Sequence, residues 1–271
     1  MKQARTLLVT AIAIAFVAGC NDNDPTGPDP GPTTVDSDWR GTVAPGDRIE
    51  IKNIAGDLRA SYTAGAEVVV HATKSGQDSD PASVAIEVVR HADGVTICAI
   101  YPDVPGQAPN ECAPGLQGNT SSWDNDVIVD FTVSVPAGVE FVGRAVGGDV
   151  VAEGLQGDVL ARTIGGDISV TTAGIAEASS MFGSLNVAIG RADPGRDLTF
   201  RTMTGNVTLR VPSNTNAEVQ ATTGRGTIDS DFRLEGTANR KTGTLGSGGP
   251  MLMLSTVEGN VDLRQGPNAQ P

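Results

Sequence analysis

A glycine recurs through most of this chain, each time between two runs in which apolar and polar side chains alternate. The copies read RIEIKNIAGDLRASY, VEFVGRAVGGDVVAEG, DVLARTIGGDISVTT, IAEASSMFGSLNVAI, DLTFRTMTGNVTLRV, AEVQATTGRGTIDSDF and LMLSTVEGNVDLRQ. Their pivots are Gly56, Gly148, Gly166, Gly183, Gly205, Gly224 and Gly259. From Gly148 to Gly224 the steps are 18, 17, 22 and 19 residues. A period of that size calls for a repeat architecture before any other fold.

Within a copy the apolar positions have period two. Ile49 and Ile51, Val159 and Ala161, Leu198 and Phe200, and Leu252 and Leu254 stand seven and five residues before their glycines. Leu58, Val150, Ile168, Leu185, Val207 and Val261 stand two residues after. That alternation is the mark of a strand with one buried face, so each copy reads as strand, glycine turn, strand. The position three before the glycine holds Asn53, Ala145, Thr163, Ser180, Thr202, Ala221 and Thr256, all small and mostly polar. Such residues suit a tight corner and can bond along a ladder. The sixth copy carries an extra Arg225-Gly226, which a bulge would absorb.

The turn motif is Gly56-Asp57, Gly148-Asp149, Gly157-Asp158, Gly166-Asp167, Gly205-Asn206 and Gly259-Asn260. Glycine there permits positive φ, and Asp or Asn can satisfy neighbouring backbone. Two-residue hairpins would give an antiparallel meander. Repetition of one residue type at one offset favours stacked coils instead. Stacked Asp and Asn oxygens could also suit Ca²⁺. The Asn and Ser members of the row, and the lack of a GGxGxDxUx calcium repeat, favour the turn, and no metal is expected.

The copies, with VSVPAGVEFVGRAVGGDV and the closing LSTVEGNVDLR, resemble the bacterial DUF4097 family of adhesin-like proteins over roughly Ile49 to Arg264. The resemblance implies a parallel β-helix-like fold and a role in adhesion, and it brings no catalytic residues to carry over. The expected fold is therefore all-β: a β-solenoid of Gly-Asp/Asn turn repeats. Residues 63–138 depart from the repeat and carry Asp93-Gly94 between two alternating runs, a hairpin signal. They are expected as an antiparallel sheet, inserted or capping, near the N-terminal end.

Ahead of the repeats, MKQARTLLVTAIAIAFVAGC has two early cations, an apolar run and small residues before Cys20. This is an export-signal layout. Its end, VAGC, resembles the lipobox of bacterial lipoproteins, which implies cleavage before Cys20 and acylation of its thiol. Residues 1–19 are then a signal peptide, 20–38 a lipidated Cys and Pro-rich linker, and 39–271 the all-β domain. In an oxidising compartment the two remaining cysteines, Cys98 and Cys112, are expected to pair.

Nothing in the chain assembles a reaction centre. His71 and His91 lack a ligand at metal spacing and read as surface strand residues. There is no nucleophile elbow and no phosphate-binding P-loop, and the Gly-rich Leu245–Pro250 reads as a loop. A net charge of −13 opposes binding to nucleic acid. The expected function is non-catalytic: a lipid-anchored envelope protein, adhesin-like or structural, that meets an envelope protein or glycan and needs no cofactor. Its expected place is the outer membrane or cell surface. The alternative is a β-helix enzyme acting on acidic polysaccharide through clustered Asp, for which only Trp39, Trp123, Tyr62 and Tyr101 could serve as large sugar platforms.

Overall fold

The computed structural model describes residues 33–266. The expected signal peptide, residues 1–19, and Cys20 lie outside the described residues. The chain opens with β1 (Thr33–Gly41), which begins inside the stretch read as linker. The first arch follows as β2 (Arg48–Lys52) and β3 (Leu58–Tyr62). Next come β4 (Val68–Gly76), β5 (Ala85–His91), β6 (Gly94–Ile100) and β7 (Ile128–Val135). Five arches succeed them. They are β8 (Glu140–Arg144) with β9 (Val150–Leu155), β10 (Val159–Arg162) with β11 (Ile168–Thr172), and β12 (Ala176–Ser179) with β13 (Leu185–Ile189). The other two are β14 (Leu198–Arg201) with β15 (Val207–Pro212), and β16 (Ala217–Arg225) with β17 (Ile228–Ser230). The hairpin β18 (Glu235–Thr237) and β19 (Arg240–Leu245) precedes a last arch, β20 (Met251–Glu258) with β21 (Val261–Gly266).

Two mixed sheets contain these strands. The ten-stranded sheet runs β1-β4-β7-β3-β9-β11-β13-β15-β21-β17, and the eleven-stranded sheet runs β18-β19-β16-β20-β14-β12-β10-β8-β2-β6-β5. Every arch puts its first arm in the second of these sheets and its second arm in the first. Like arms pair in parallel and in register: Val159 faces Phe141 and Ala176, and Ile168 faces Val150 and Leu185. The arms of one arch do not pair with each other, so the meander is not what forms. The protein is all-β, with two sheets that remain separate. They do not close into the solenoid that the repeats suggest.

The alternation is realised as core. Ile49, Ile51, Val159, Ala161, Leu198, Phe200, Leu252 and Leu254 from one sheet are buried, as are Leu58, Val150, Ile168, Leu185, Val207 and Val261 from the other. Burial of each aliphatic side chain contributes about 1.5–3 kcal/mol. Among the described residues, this core and both sheets extend from β1 to β21.

Three expectations need correction. The order of arches in space is not their order in sequence: β20–β21 slots between β14–β15 and β16–β17. The sixth copy pivots on Gly226, not Gly224. Thr223 pairs with Thr256, so the alternating run Ala217, Val219, Ala221, Thr223 continues two residues further and no bulge is needed. Finally, residues 63–138 do not form a sheet of their own. β4 and β7 pair antiparallel in one sheet, and β5 and β6 form the Asp93-Gly94 hairpin in the other. Asp126 orders the approach to β7 by accepting from the amides of Asp78, Ser79 and Gln77. Those bonds, the Asp78 amide foremost, hold its carboxyl down at about 2.

Candidate functional site on the arch edge and outer strand face

At the arch edge the pivot glycines stack one on another, each with positive φ from Gly56 through Gly148, Gly166, Gly183, Gly205 and Gly259 to Gly226. The next residue forms a hydrogen-bonded ladder. Asp130 Oδ1 on β7 accepts from the Asp57 amide (2.8 Å), Asp57 Oδ1 from Asp149 (2.9 Å), and Asp149 Oδ1 from Asp167 (2.8 Å). Asp167 Oδ1 accepts from Ser184 (2.7 Å) and Ser184 Oγ from Asn206 (3.1 Å). Asn206 Oδ1 then accepts from Asn260 (2.8 Å), and Asn260 Oδ1 from Thr227 (2.9 Å). One acceptor oxygen per rung is all that the geometry requires, which is why Asp, Asn and Ser interchange.

A second ladder lies just inside. Thr163, Ser180, Thr202, Thr256 and Thr223 donate their hydroxyls to the carbonyls of Gly148, Gly166, Gly183, Gly205 and Gly259 at 2.7–3.0 Å. Ala145 has no hydroxyl for the Gly56 carbonyl, and there Asn53 Nδ2 donates instead at 3.1 Å. These small polar residues are buried, and their bonds give each partly buried glycine carbonyl a donor.

Gly157-Asp158 belongs to the opposite edge, because nine residues is half of one repeat. Asp158 Oδ1 accepts from the Ile175 amide (3.1 Å) and pairs with Arg191 (3.1 Å). The Gly-Asp motif is thus a backbone-capping device at both edges. His71 bonds Asp38 and Thr73, and His91 bonds Thr96. Among the described residues no three His, Cys, Asp or Glu side chains gather as a metal site.

The cystine forms as expected, with Cys98 and Cys112 bonded at a Cα separation of 5.7 Å. Its loop covers a part of the strand face that alternation marks as outward. Lys52 Nζ donates to the carbonyls of Ala113 (2.6 Å) and Gln117 (2.7 Å). Glu50 is fully buried beneath the loop, accepting from Arg144 Nε (2.6 Å), the Thr96 hydroxyl (3.0 Å) and the Gly115 amide (2.8 Å). Burial holds Lys52 below its ordinary pKa, opposed by Glu50 and reinforced by Arg144. Sequence reasoning missed this cluster, because Glu50 sits between Ile49 and Ile51 at a position that should face water.

The outward polar residues divide between the two sheets. On the ten-stranded sheet the arginines of the stacked arches are paired, Arg59 with Asp57 among them. Arg210 donates to Asn186 (2.6 Å), and Arg264 bonds Asp229, Asp231 and Asp262, which raise its pKa. On the eleven-stranded sheet, Arg162, Ser179 and Arg201 occupy one row on neighbouring rungs. They line a depression of about 300 Å³. Arg162 and Arg201 are exposed, and their guanidinium groups have no ion pair or hydrogen bond among the described residues. Glu177, in the same depression, is paired with Arg196.

Two residues along from this row, an apolar row follows the arch edge. Val146, Ile164, Met181, Met203 and Val257 are 39–54% exposed. Their backbones bond in sequence, Ile164 to Val146, Met181 to Ile164, Met203 to Met181 and Val257 to Met203, each at 3.2 Å. Phe182 stands beside them, 56% exposed.

No protein-family model and no curated protein matches the sequence. Solved structures with distant similarity include one described as a putative cell adhesion protein from Clostridium sporogenes. It is 11% identical with a TM-score of 0.45, over 86% of this chain and 100% of that one. A second, described as a putative adhesin from Bacteroides fragilis, is 12% identical with a TM-score of 0.37, over 86% and 97%. A third, described as a putative lipid binding protein from Parabacteroides distasonis, is 11% identical with a TM-score of 0.29, over 88% and 98%.

Proposed function

We propose that this chain is a lipid-anchored bacterial envelope protein that binds an envelope protein or glycan and catalyses no reaction. The observation that carries this reading is the fate of the row carboxylates. Asp57, Asp149 and Asp167 each spend an oxygen on the next rung's amide, so the most repeated acidic residues serve the fold. The surfaces they hold in place are regular strand faces, suited to a broad contact that gains strength from many copies on one membrane. In this reading the stacked arches are a DUF4097-like, solenoid-related scaffold. The antiparallel pairs β1/β4 and β5/β6 at one end and β18/β19 at the other protect its edges from end-to-end growth. Acylated Cys20 supplies the anchor, since each buried methylene contributes about 0.8 kcal/mol, and the outer membrane or cell surface is the site of action.

Labelled palmitate fed to expressing cells should enter the wild-type chain and not the Cys20→Ala variant. The variant should leave the membrane fraction or retain its first nineteen residues. A wild-type chain that takes up no label contradicts the anchor.

A further inference from the structure

We propose that the depression between Arg162 and Arg201 binds the phosphate-type oxyanion of a monomeric amphiphile whose hydrocarbon part lies along Ile164, Met181 and Met203. The proposal rests on the binding reading above and names a ligand class for one part of the strand face.

The cationic part follows from register. Arg162 pairs with Ser179 and Ser179 with Arg201, so all three side chains leave the same face on successive rungs. Adjacent strands are about 4.8 Å apart, which sets the two arginine backbones about 9.5 Å apart with only a serine between them. Two long side chains can converge across that gap, and Ser179, whose hydroxyl has no partner among the described residues, lines the depression with them. Guanidinium groups match phosphate oxygens with paired N–H donors. The chain carries 32 acidic residues against 19 basic ones, yet it leaves these two arginines uncompensated. Glu177, the acid that lines the depression, is taken by Arg196.

The apolar part follows from the same register. Ile164, Met181 and Met203 lie two residues beyond Arg162, Ser179 and Arg201, just past the strand ends where each chain turns at the arch edge. The two rows therefore run side by side across the strands, one cationic and one apolar. Met side chains adapt to irregular hydrocarbon. A ligand that satisfies both rows carries an anionic head and an apolar tail. The net charge of −13 repels an extended anionic surface, which favours single molecules over a membrane.

The test is calorimetric titration of residues 33–271, which include both sheets and the core described above, with inorganic phosphate, hexyl phosphate and octyl phosphate at constant ionic strength. All three should bind, in rising order of affinity, with octyl phosphate several-fold tighter than hexyl phosphate. Arg162→Gln and Arg201→Gln should each weaken all three about tenfold. The pair Met181→Ser with Met203→Ser should weaken octyl phosphate and leave inorganic phosphate unchanged. Both arginines are exposed and unpaired, so their variants should melt with the wild type. Phosphate binding that survives both arginine variants, or affinity that ignores chain length, overturns the proposal. If none of the three binds while the protein still retains envelope material, the site proposal falls and the broader reading stands.

Discussion

Gly166→Val should destabilise the fold by more than about 3 kcal/mol, whereas Asp167→Ala should cost about 1 kcal/mol. The Gly166 backbone has φ +154°, which L residues rarely adopt. A Cβ at that position would drive into the carbonyl oxygen of Gly148 on the rung below, and the Asp149 amide next to it leaves no room to retreat. The strain is also shared. Gly183 rests on the Gly166 carbonyl, so a displaced turn disturbs the rungs on both sides. Asp167→Ala removes one acceptor, and the Ser184 amide it served lies at an exposed edge where water can replace it. Urea unfolding of the single variants checks this order. A larger loss for Asp167→Ala would mean that the carboxylate does more than cap a backbone amide.

Arg144→Met should cost about 3–5 kcal/mol, because it leaves the Glu50 carboxylate buried and unpaired. The Glu50 side chain is 1% exposed and the Arg144 side chain 17% exposed, so water cannot take over the lost bond without opening the cystine loop. The loop should feel the change as well, since Gly115 and Lys52 meet it beside the same carboxylate. Adding Glu50→Gln to Arg144→Met removes the stranded charge while keeping an acceptor for Thr96 and Gly115. It should recover a large part of the loss. Equal stability of Arg144→Met and wild type in urea titrations would show that the pair is not a buried one in solution.

How much of this was legible beforehand differs from feature to feature. The alternation around Gly148, Gly166, Gly183 and Gly205 is strictly local, so it identified the strands, the buried face and the turns. The role of Asp149 and Asp167 in capping backbone was legible as well, although the partner proved to be the neighbouring rung's amide and not the residue's own turn. The spatial order of the last two arches was not legible. Parallel stacking places no turn signal between neighbours, so β20 can pair with β14 across 49 intervening residues. The sequence aligns the sixth copy on Gly224 with Arg225-Gly226 as an extra pair, while the residue that decides for Gly226 is Thr223, whose hydroxyl reaches the Gly259 carbonyl. The Glu50 cluster was invisible for a different reason. Periodicity along a strand tells which face a residue is on, not whether a distant loop covers that face. In the sequence, Arg162 and Arg201 are simply two of the polar positions that alternate with the apolar ones. Only the register showed them flanking one serine, with the apolar row alongside.

The most direct measurement is turnover. Residues 33–271 should be incubated with anionic polysaccharides and peptidoglycan, with and without Ca²⁺, and assayed for new reducing ends or unsaturated products. A binding scaffold whose Asp row caps backbone amides yields none under either condition. Cleavage that vanishes in Asp149→Ala or Asp167→Ala, with the fold intact by melting, would contradict that role and make the row a reaction centre.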